Sequence, residues 1–506
     1  EGPAPAFGGS RACTLPAGQV GMPLILGLNA YHADAAAALL CDGRLVAAVE
    51  EERLRGVKHW AGLPTRAAAA CLEIAGADAG DLDAVALNRE PGTELGAKAR
   101  FALAHPTALA RLPGRIANRR AFAAAPGTIA ARLGASAPGL RRIAVAHHDA
   151  HLASAVYTAP FDVDAAASID GFGDFLSTRT ARVADGDLAA VGRVTFPHSL
   201  GVLYQAVTQH LGFPDFGDEY KVMGLAAHGR ARRTAALDRL IRARPGGRFA
   251  LNLRYFRHVR PGFTYRWQEG APVVGTLFRP RVGDLLGRPR APDTEITEAH
   301  ADLAASLQAV YERILWHVLR HAAGDGRGPR ALALAGGCAH NVVANAKIPA
   351  KTPFARVHVP PAPGDAGGAV GAALVAHRRL TGRAPRLPEA GADLGPAVSE
   401  AEAAAALDAR AGALRRAGCR VDWPAPGALA AAAARGLADG ELVGWVQGRM
   451  EFGPRALGAR SLLADPRRAD VRALLNQRIK RREPFRPFAA SVLREAMADW
   501  FEVERD

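Results

Sequence analysis

The stretch from Arg141 to Ala155, RRIAVAHHDAHLASA, sets an apolar strand directly before a His-His-Asp-Ala-His cluster that runs on as a helix of small residues. With the helix beginning near Asp149, His147 and His151 stand four residues apart, and residues i and i+4 of a helix share a face. Two imidazoles so placed reach one point from the same side, which is metal-ligand spacing. The alternative is that one histidine caps the helix while another packs, because a short histidine cluster is a weak motif alone.

A chain of 506 residues, 49% hydrophobic, can bury large cores and is expected to hold two or more domains. It has no run of about 18 apolar residues that would span a membrane. The formal charge of +15 raises the question of nucleic acid. Its arginines, however, are scattered and not gathered in blocks, and no nucleic-acid-binding module is recognisable, so nucleic acid is not the expected partner. Small anionic substrates suit the charge as well. The five cysteines, Cys13, Cys41, Cys71, Cys338 and Cys419, form no CxxC pair and give neither a zinc site nor a disulfide framework. A reducing cytoplasm is the expected compartment.

Residues 1–21 are a Pro/Gly/Ala-rich lead-in, expected to be non-native or disordered and lacking the pattern of a secretory signal; Met22 looks like the natural start. From Leu24 the pattern is strand, turn, strand, Asp42-Gly43, strand, so a β-meander opens the first domain. The charged run EEERLRGVKHWAGLP reads as a solvated loop in which Lys58 and His59 are placed to line a substrate mouth. A helix through Ala67–Ile74 and a strand at Asp83–Leu87 follow. Residues 95–138 are Arg- and Ala-rich, with helical stretches broken at Pro106, Pro113 and Pro126, and read as a helical insertion.

After the histidine cluster, DAAASID is a strand ending in Asp170-Gly171-Phe172-Gly173-Asp174. A carboxylate beside two glycines at a strand end is placed to meet a metal or a phosphate, since glycine lets backbone approach a ligand; a plain turn is the alternative. In the next polar segment Lys221 is the most plausible ligand-facing charge. A poorly patterned stretch from about Arg244 to Pro292 leads to a long amphipathic helix from Thr297. ALALAGGCAHN then gives a buried strand, a Gly-Gly turn and a helix beginning near Asn341, and VHVPPAPGDAGGAVGAALVAH repeats that order around Asp365. The series predicts a split α/β fold with a nucleotide between two halves.

The motifs HHDAHLASA, SIDGFGD, EYKVMGLAAHG, LAGGCAHN, PPAPGDAGGAVGAAL and GRMEFGPRALGARSLLADPR, in that order, resemble those of the O-carbamoyltransferase family, which includes nodulation-factor, cephem and aminoglycoside carbamoyltransferases. The resemblance implies an actin/sugar-kinase-like, threonylcarbamoylation-subunit-like split domain over residues 22–385. It also implies a smaller α/β domain over 399–506 resembling threonylcarbamoyl-AMP synthase. The implied chemistry joins carbamoyl phosphate and ATP, the latter with Mg, into carbamoyl-adenylate, and passes the carbamoyl group to a hydroxyl of a small-molecule acceptor.

By the same resemblance the metal ligands are His147, His151, Asp170 and Asp365. Imidazoles with carboxylates suit Fe, Mn or Zn, and the family favours Fe(II). Gly171, Gly173, Gly336, Gly337 and Asn341 are the expected nucleotide contacts. His32, His59 and Lys221 are the catalytic candidates, with the base that deprotonates the acceptor left open between the two histidines.

A Pro/Gly/Ala-rich linker at about Arg383–Val398 precedes the second domain, expected to open with helix, strand and helix. There Arg449, Glu451, Arg455, Arg460 and Ser461 crowd around glycines, with Lys480, Arg482 and Arg486 further on. Clustered guanidinium groups match the oxygens of a phosphate, and carbamoyl phosphate is such an anion; a solvated arginine-rich surface is the alternative. Family members continue beyond the point that corresponds to Asp506, so an incomplete second domain, from a fragment or a naturally shortened product, is expected, with low solubility or lost carbamoyl-adenylate synthesis. A homodimer is allowed for. A tRNA threonylcarbamoylation-like enzyme and a non-catalytic nucleotide-binding protein are the alternatives to the small-molecule carbamoyltransferase.

Overall fold

Asp42 and Gly43 take left-handed backbone, with φ of 50° and 75°, which is what a tight hairpin between twisted strands requires. In the computed structural model, which describes residues 23–502 apart from 107–111, 135–138, 261, 268–269, 326–329, 388–390 and 426, they close an antiparallel meander. Its strands are β1 (Ile25–Asn29), β2 (Ala36–Cys41) and β3 (Arg44–Glu50). β4 (Ala84–Leu87) and β5 (Arg141–Ala144) join in parallel beyond β1, giving the order β3-β2-β1-β4-β5. The expected lead-in, residues 1–21, lies outside the described residues.

Helices α1 (Glu51–Arg55) and α2 (Thr65–Ala75) lead from β3 to β4, α3 (Leu95–Ala104) and α4 (Leu112–Arg132) from β4 to β5, and α5 (His147–Tyr157) follows. The stretch expected as an insertion is therefore the crossover that two parallel strands need. α4 continues through Pro126, where a break was expected, and its Phe122, Ala125 and Ile129 pack in the core with Leu63 and Leu72. The charged run after β3 is likewise no solvated loop. Glu51 is buried, accepts the N–H of Ala67 and pairs with Arg55.

The pattern then repeats. β6 (Ala165–Gly173), β7 (Leu176–Ala184) and β8 (Asp187–Thr195) form a second meander. Next come α6 (Leu200–His210), α7 (Glu219–Ala226) and α8 (Thr234–Leu237), then the hairpins β9 (Ile241–Arg244)/β10 (Arg248–Leu251) and β11 (Tyr265–Arg266)/β12 (Val273–Val274), then α9 (Gly283–Leu286) and α10 (Glu298–Ala323). β13 (Arg330–Ala335), α11 (Val342–Asn345), α12 (Ile348–Lys351), β14 (Phe354–His358) and α13 (Gly367–Thr381) complete the repeat. The second sheet has the order β14-β13-β6-β7-β8, the arrangement of the first used again. Three antiparallel strands, two parallel ones and a trailing helix, used twice, are the actin/sugar-kinase-like arrangement.

The trailing helices are exchanged: α13 packs on β1, β2 and β4 of the first sheet, α5 on β6 and β13 of the second, and the two helices pack on each other. Small residues permit this. A Cβ on Gly371 would lie 1.7 Å from the Ala150 carbonyl oxygen, so only glycine lets α13 come this close to α5. The exchange carries the start of α5, the end of β6 and the approach to α13 to the carboxyl ends of the parallel strands, where open α/β sheets hold their ligands.

The chain divides into two compact units, the first running to Ala397 and taking in Gly448–Leu457, the second comprising Val398–Gln447 and Gly458–Asp506. The expected linker belongs largely to the first unit. Leu387 and Leu394 pack against its core, and the Ala48 N–H donates to the Leu394 carbonyl. The second unit holds α14 (Glu400–Asp408), α15 (Ala411–Arg416), α16 (Ala428–Ala438) and an antiparallel pair, β15 (Val443–Val446) with β16 (Arg460–Leu463). Among the described residues no strand separates α14 from α16, contrary to the expected helix-strand-helix order.

Adding one methyl at Gly371 is expected to cost about 3 kcal/mol of stability by overpacking, whereas Gly80→Ala, which meets open space, is expected to stay within about 0.5 kcal/mol. Urea unfolding midpoints test this, and an unchanged midpoint for Gly371→Ala would contradict the close helix contact.

Candidate metal centre

α5 starts at His147, two residues earlier than the sequence suggests, and the i, i+4 relation of its histidines is kept. Their Nε2 atoms face each other at 3.1 Å. Asp170, on β6, brings Oδ2 to 3.0 Å from His147 Nε2 and 3.6 Å from His151 Nε2. Asp365, just ahead of α13, brings Oδ1 to 3.5 and 3.4 Å from the same two nitrogens. One donor atom from each of the four side chains lies within 4.8 Å of all the others, and all four residues are buried.

A divalent metal fits these residues. Two carboxylates in a dry site need compensating charge, and Asp365 Oδ1 is a buried oxygen with no hydrogen-bond partner. The donor set suits Fe(II), Mn(II) or Zn(II). Titration properties of the protein alone point the same way. Burial would lower His151, but the facing carboxylates of Asp170 and Asp365 outweigh it and lift the imidazole to about 9. Burial would raise both carboxyls; hydrogen bonds from His147 and His151 hold Asp170 well below the usual carboxylate range, and the His32 charge helps hold Asp365 low. His148 turns away. Its Nδ1 lies 2.8 Å from Ser168 Oγ, and burial, reinforced by the His147 and His151 charges, lowers it to about 3.

The surroundings are built to hold this cluster. Asp170 Oδ1 accepts the Gly337 N–H at 2.9 Å, and a Cβ on Gly173 would lie 1.9 Å from the His147 ring. Asp174 Oδ2 accepts the main-chain N–H groups of His147, at 2.9 Å, and of Glu90, at 2.8 Å. The sequence reading passed over Asp174, although the second carboxylate of DGFGD was a signal for it. Gly173 and Gly337 thus adjoin the candidate ligands directly, while Gly336, with φ of 88°, packs on the Ile169 backbone and Gly171 meets nothing that a Cβ would disturb. Asn341 caps a single helical turn and exchanges two hydrogen bonds with Gln308.

Of the catalytic candidates, His32 is brought to the cluster, its Nδ1 paired with Asp365 Oδ2 and its ring 6.2 Å from that of His147. Tyr265 and Trp267 stand beside it, at ring distances of 6.3 and 5.7 Å. His59 lies further off, separated from Tyr265 by Phe216, and its Nδ1 is 2.7 Å from Asp34 Oδ1. Asp34, Glu52 and His59 form a second group of possible ligands that sequence reasoning missed, because Asp34 and His59 are joined only by folding. Lys221 pairs with Asp218 at 2.8 Å over the Phe213 ring.

The residues expected to form a guanidinium pocket fall in both units. Arg449 and Arg455 belong to the first unit and Arg460, Ser461, Lys480 and Arg486 to the second. Arg449 donates to the carbonyls of Val46, Leu394 and Gly395, so it fastens the strap of residues 384–397 to β3. In the second unit Arg460 donates to the Gln447 carbonyl, Ser461 Oγ accepts the Gly458 N–H, and Arg486 lies 3.5 Å from Glu483.

Fold and cluster together define a two-lobed α/β protein with a buried candidate metal centre where its repeats meet. The profile of the carbamoyltransferase N-terminus matches residues 24–374 and that of the carbamoyltransferase C-terminus residues 434–506, and the chain belongs to this carbamoyltransferase family. It is 36% identical over 505 residues to the uncharacterized protein sll1178 of Synechocystis sp., covering 96% of this chain and 78% of that one. It is 37% identical to the nodulation protein NolNO of Sinorhizobium fredii, covering 94% of this chain and 64% of the relative. To the nodulation protein NolO of Bradyrhizobium diazoefficiens it is 39% identical, covering 71% and 60% respectively. Among the described residues no helix is long and apolar enough to cross a membrane.

Two outcomes are expected. Zn(II) or Mn(II) at about 100 times its dissociation constant should stabilise the protein by roughly 2.7 kcal/mol, an effect absent from His151→Ala and Asp365→Asn in thermal denaturation. The pH dependence follows from His151, raised to about 9 from an ordinary value near 6.5. Its ion pairing stabilises the metal-free fold fully below about 6.5 and is lost as pH rises through about 9. A metal takes the neutral imidazole, so affinity should rise by roughly tenfold per pH unit between these values, with one proton released at pH 7. Calorimetry in buffers of different ionisation enthalpy measures that release, and a flat profile would contradict the assignment.

Proposed function

We propose that this protein is an ATP-dependent O-carbamoyltransferase. Carbamoyl phosphate, water and ATP give carbamoyl-adenylate, phosphate and pyrophosphate, and the carbamoyl group then passes to a hydroxyl of a small-molecule acceptor with release of AMP and the hydroxyl proton. The observation that carries this reading is the buried group His147, His151, Asp170 and Asp365, lying inside the stretch matched by the carbamoyltransferase N-terminus. Carbamoyl transfer is assigned to the first unit and carbamoyl-adenylate formation to the second.

A divalent ion held by those four residues would supply Lewis acidity for the acyl oxygen and an anchor for nucleotide phosphate. The chain's own groups do the rest. His32 is assigned proton removal from the acceptor hydroxyl, supported over His59 by its contact with Asp365. That carboxylate fixes Nδ1 and leaves Nε2 as the nitrogen that meets the acceptor. Tyr265 and Trp267 beside His32 form the apolar wall against which an acceptor is held. Carbamoyl phosphate is assigned to Arg460, Ser461, Lys480 and Arg486, and the formal charge of +15 favours such anionic substrates.

AMP release from supplied carbamoyl-adenylate in the presence of a hydroxylated acceptor tests the reading. The wild-type chain is expected to turn over, and His151→Ala to lose roughly 100-fold in carbamoyl transfer. Equal rates for the two proteins would remove the metal group from the mechanism.

A further inference from the structure

Arg89 lies two residues beyond the end of β4 and is a cation that the reading above leaves without a task. Three contacts hold it in one pose. Its main-chain N–H donates to Leu87, its Nε lies 3.6 Å from Asp174 Oδ1, and its guanidinium carbon sits 4.4 Å above the Phe122 ring. The preceding residue is pinned as well, because the buried Asn88 side chain donates to Asn29 Oδ1. About a quarter of the Arg89 side chain is exposed, and among the described residues its two terminal amino groups make no hydrogen bond. A guanidinium stacked on one face and tethered at Nε presents its terminal fork for paired contacts to an oxyanion.

The fork is also fixed relative to the metal ligands. The carboxylate beside Arg89 Nε is the one that accepts the N–H of His147 and of Glu90, so one buried aspartate ties the end of β4 to the first turn of α5. An anion bound at the fork therefore lies at the strand end that Asp174 ties to the main chain of the candidate metal ligand His147.

We propose that Arg89 contacts the phosphate of the nucleotide, as found in AMP and in carbamoyl-adenylate, and that Asp174 is its positioning residue. The proposal rests on the carbamoyl-adenylate reading for the choice of anion. No residue of the second unit is needed for it.

Titration calorimetry of the Zn(II)-loaded full chain with AMP and with adenosine tests it. Wild-type protein is expected to bind AMP more tightly than adenosine. Arg89→Ala should weaken AMP by roughly 10- to 100-fold with adenosine and Zn(II) affinity changed less than about twofold, and Arg89→Lys should recover part of the loss. Asp174→Asn keeps an acceptor oxygen for the two N–H groups while removing the charge beside Nε, and should weaken AMP alone. AMP affinity unchanged in Arg89→Ala, or AMP and adenosine weakened alike, would overturn the assignment of Arg89. Asp174→Asn lowering Zn(II) and both nucleosides together would overturn the positioning role. A chain that holds AMP through Arg89 yet passes no carbamoyl group from carbamoyl-adenylate to an acceptor would uphold this site while the enzymatic reading fails.

Discussion

Two buried carboxylates facing two imidazoles across less than 4 Å set an electrostatic demand that the rest of the first unit answers. In a low-dielectric interior such a group persists only if protons or a cation balance it and neighbouring dipoles hold its geometry. The Gly337 N–H on Asp170, the His32 ring on Asp365 and Asp174 on the helix start are those neighbours. Each comes from a different strand end. The cluster therefore exists only when both sheets are formed and both trailing helices are seated, which couples the chemistry of the site to the folding of the whole unit.

Much of this was legible in the sequence because local spacing carried it. The i, i+4 histidines, the Asp42-Gly43 hairpin and the strand–glycine–helix segments around Asp170, Gly336 and Asp365 depend on neighbours within a few residues. Their convergence had no local signal and came from family likeness. Features fixed by distant packing were misread for one common reason, that polar or proline-rich composition was taken for exposure. Glu51 is buried because Ala67 and Arg55 satisfy it, and Pro126 is accommodated because α4 is pressed into a core with Leu72. The strap from Arg383 looked like a linker, yet its leucines and carbonyls bind to the first unit.

Arg449 shows the limit of reasoning from residue type. Guanidinium groups among glycines match a phosphate, but they match backbone carbonyls equally well, and only the fold reveals which acceptor is near. Here Val46, Leu394 and Gly395 take those donors, so a residue of the most recognisable motif in the C-terminal part of the chain serves architecture in the N-terminal one.

The crossed seating of α5 and α13 also bears on how far each repeat can stand alone. Each sheet is covered by a helix encoded in the opposite half, so neither half alone encloses its own apolar face. One repeat on this plan could cover its sheet only by trading that segment with a second copy. The histidines on one swapped helix and the aspartate ahead of the other accordingly supply complementary halves of a single cluster.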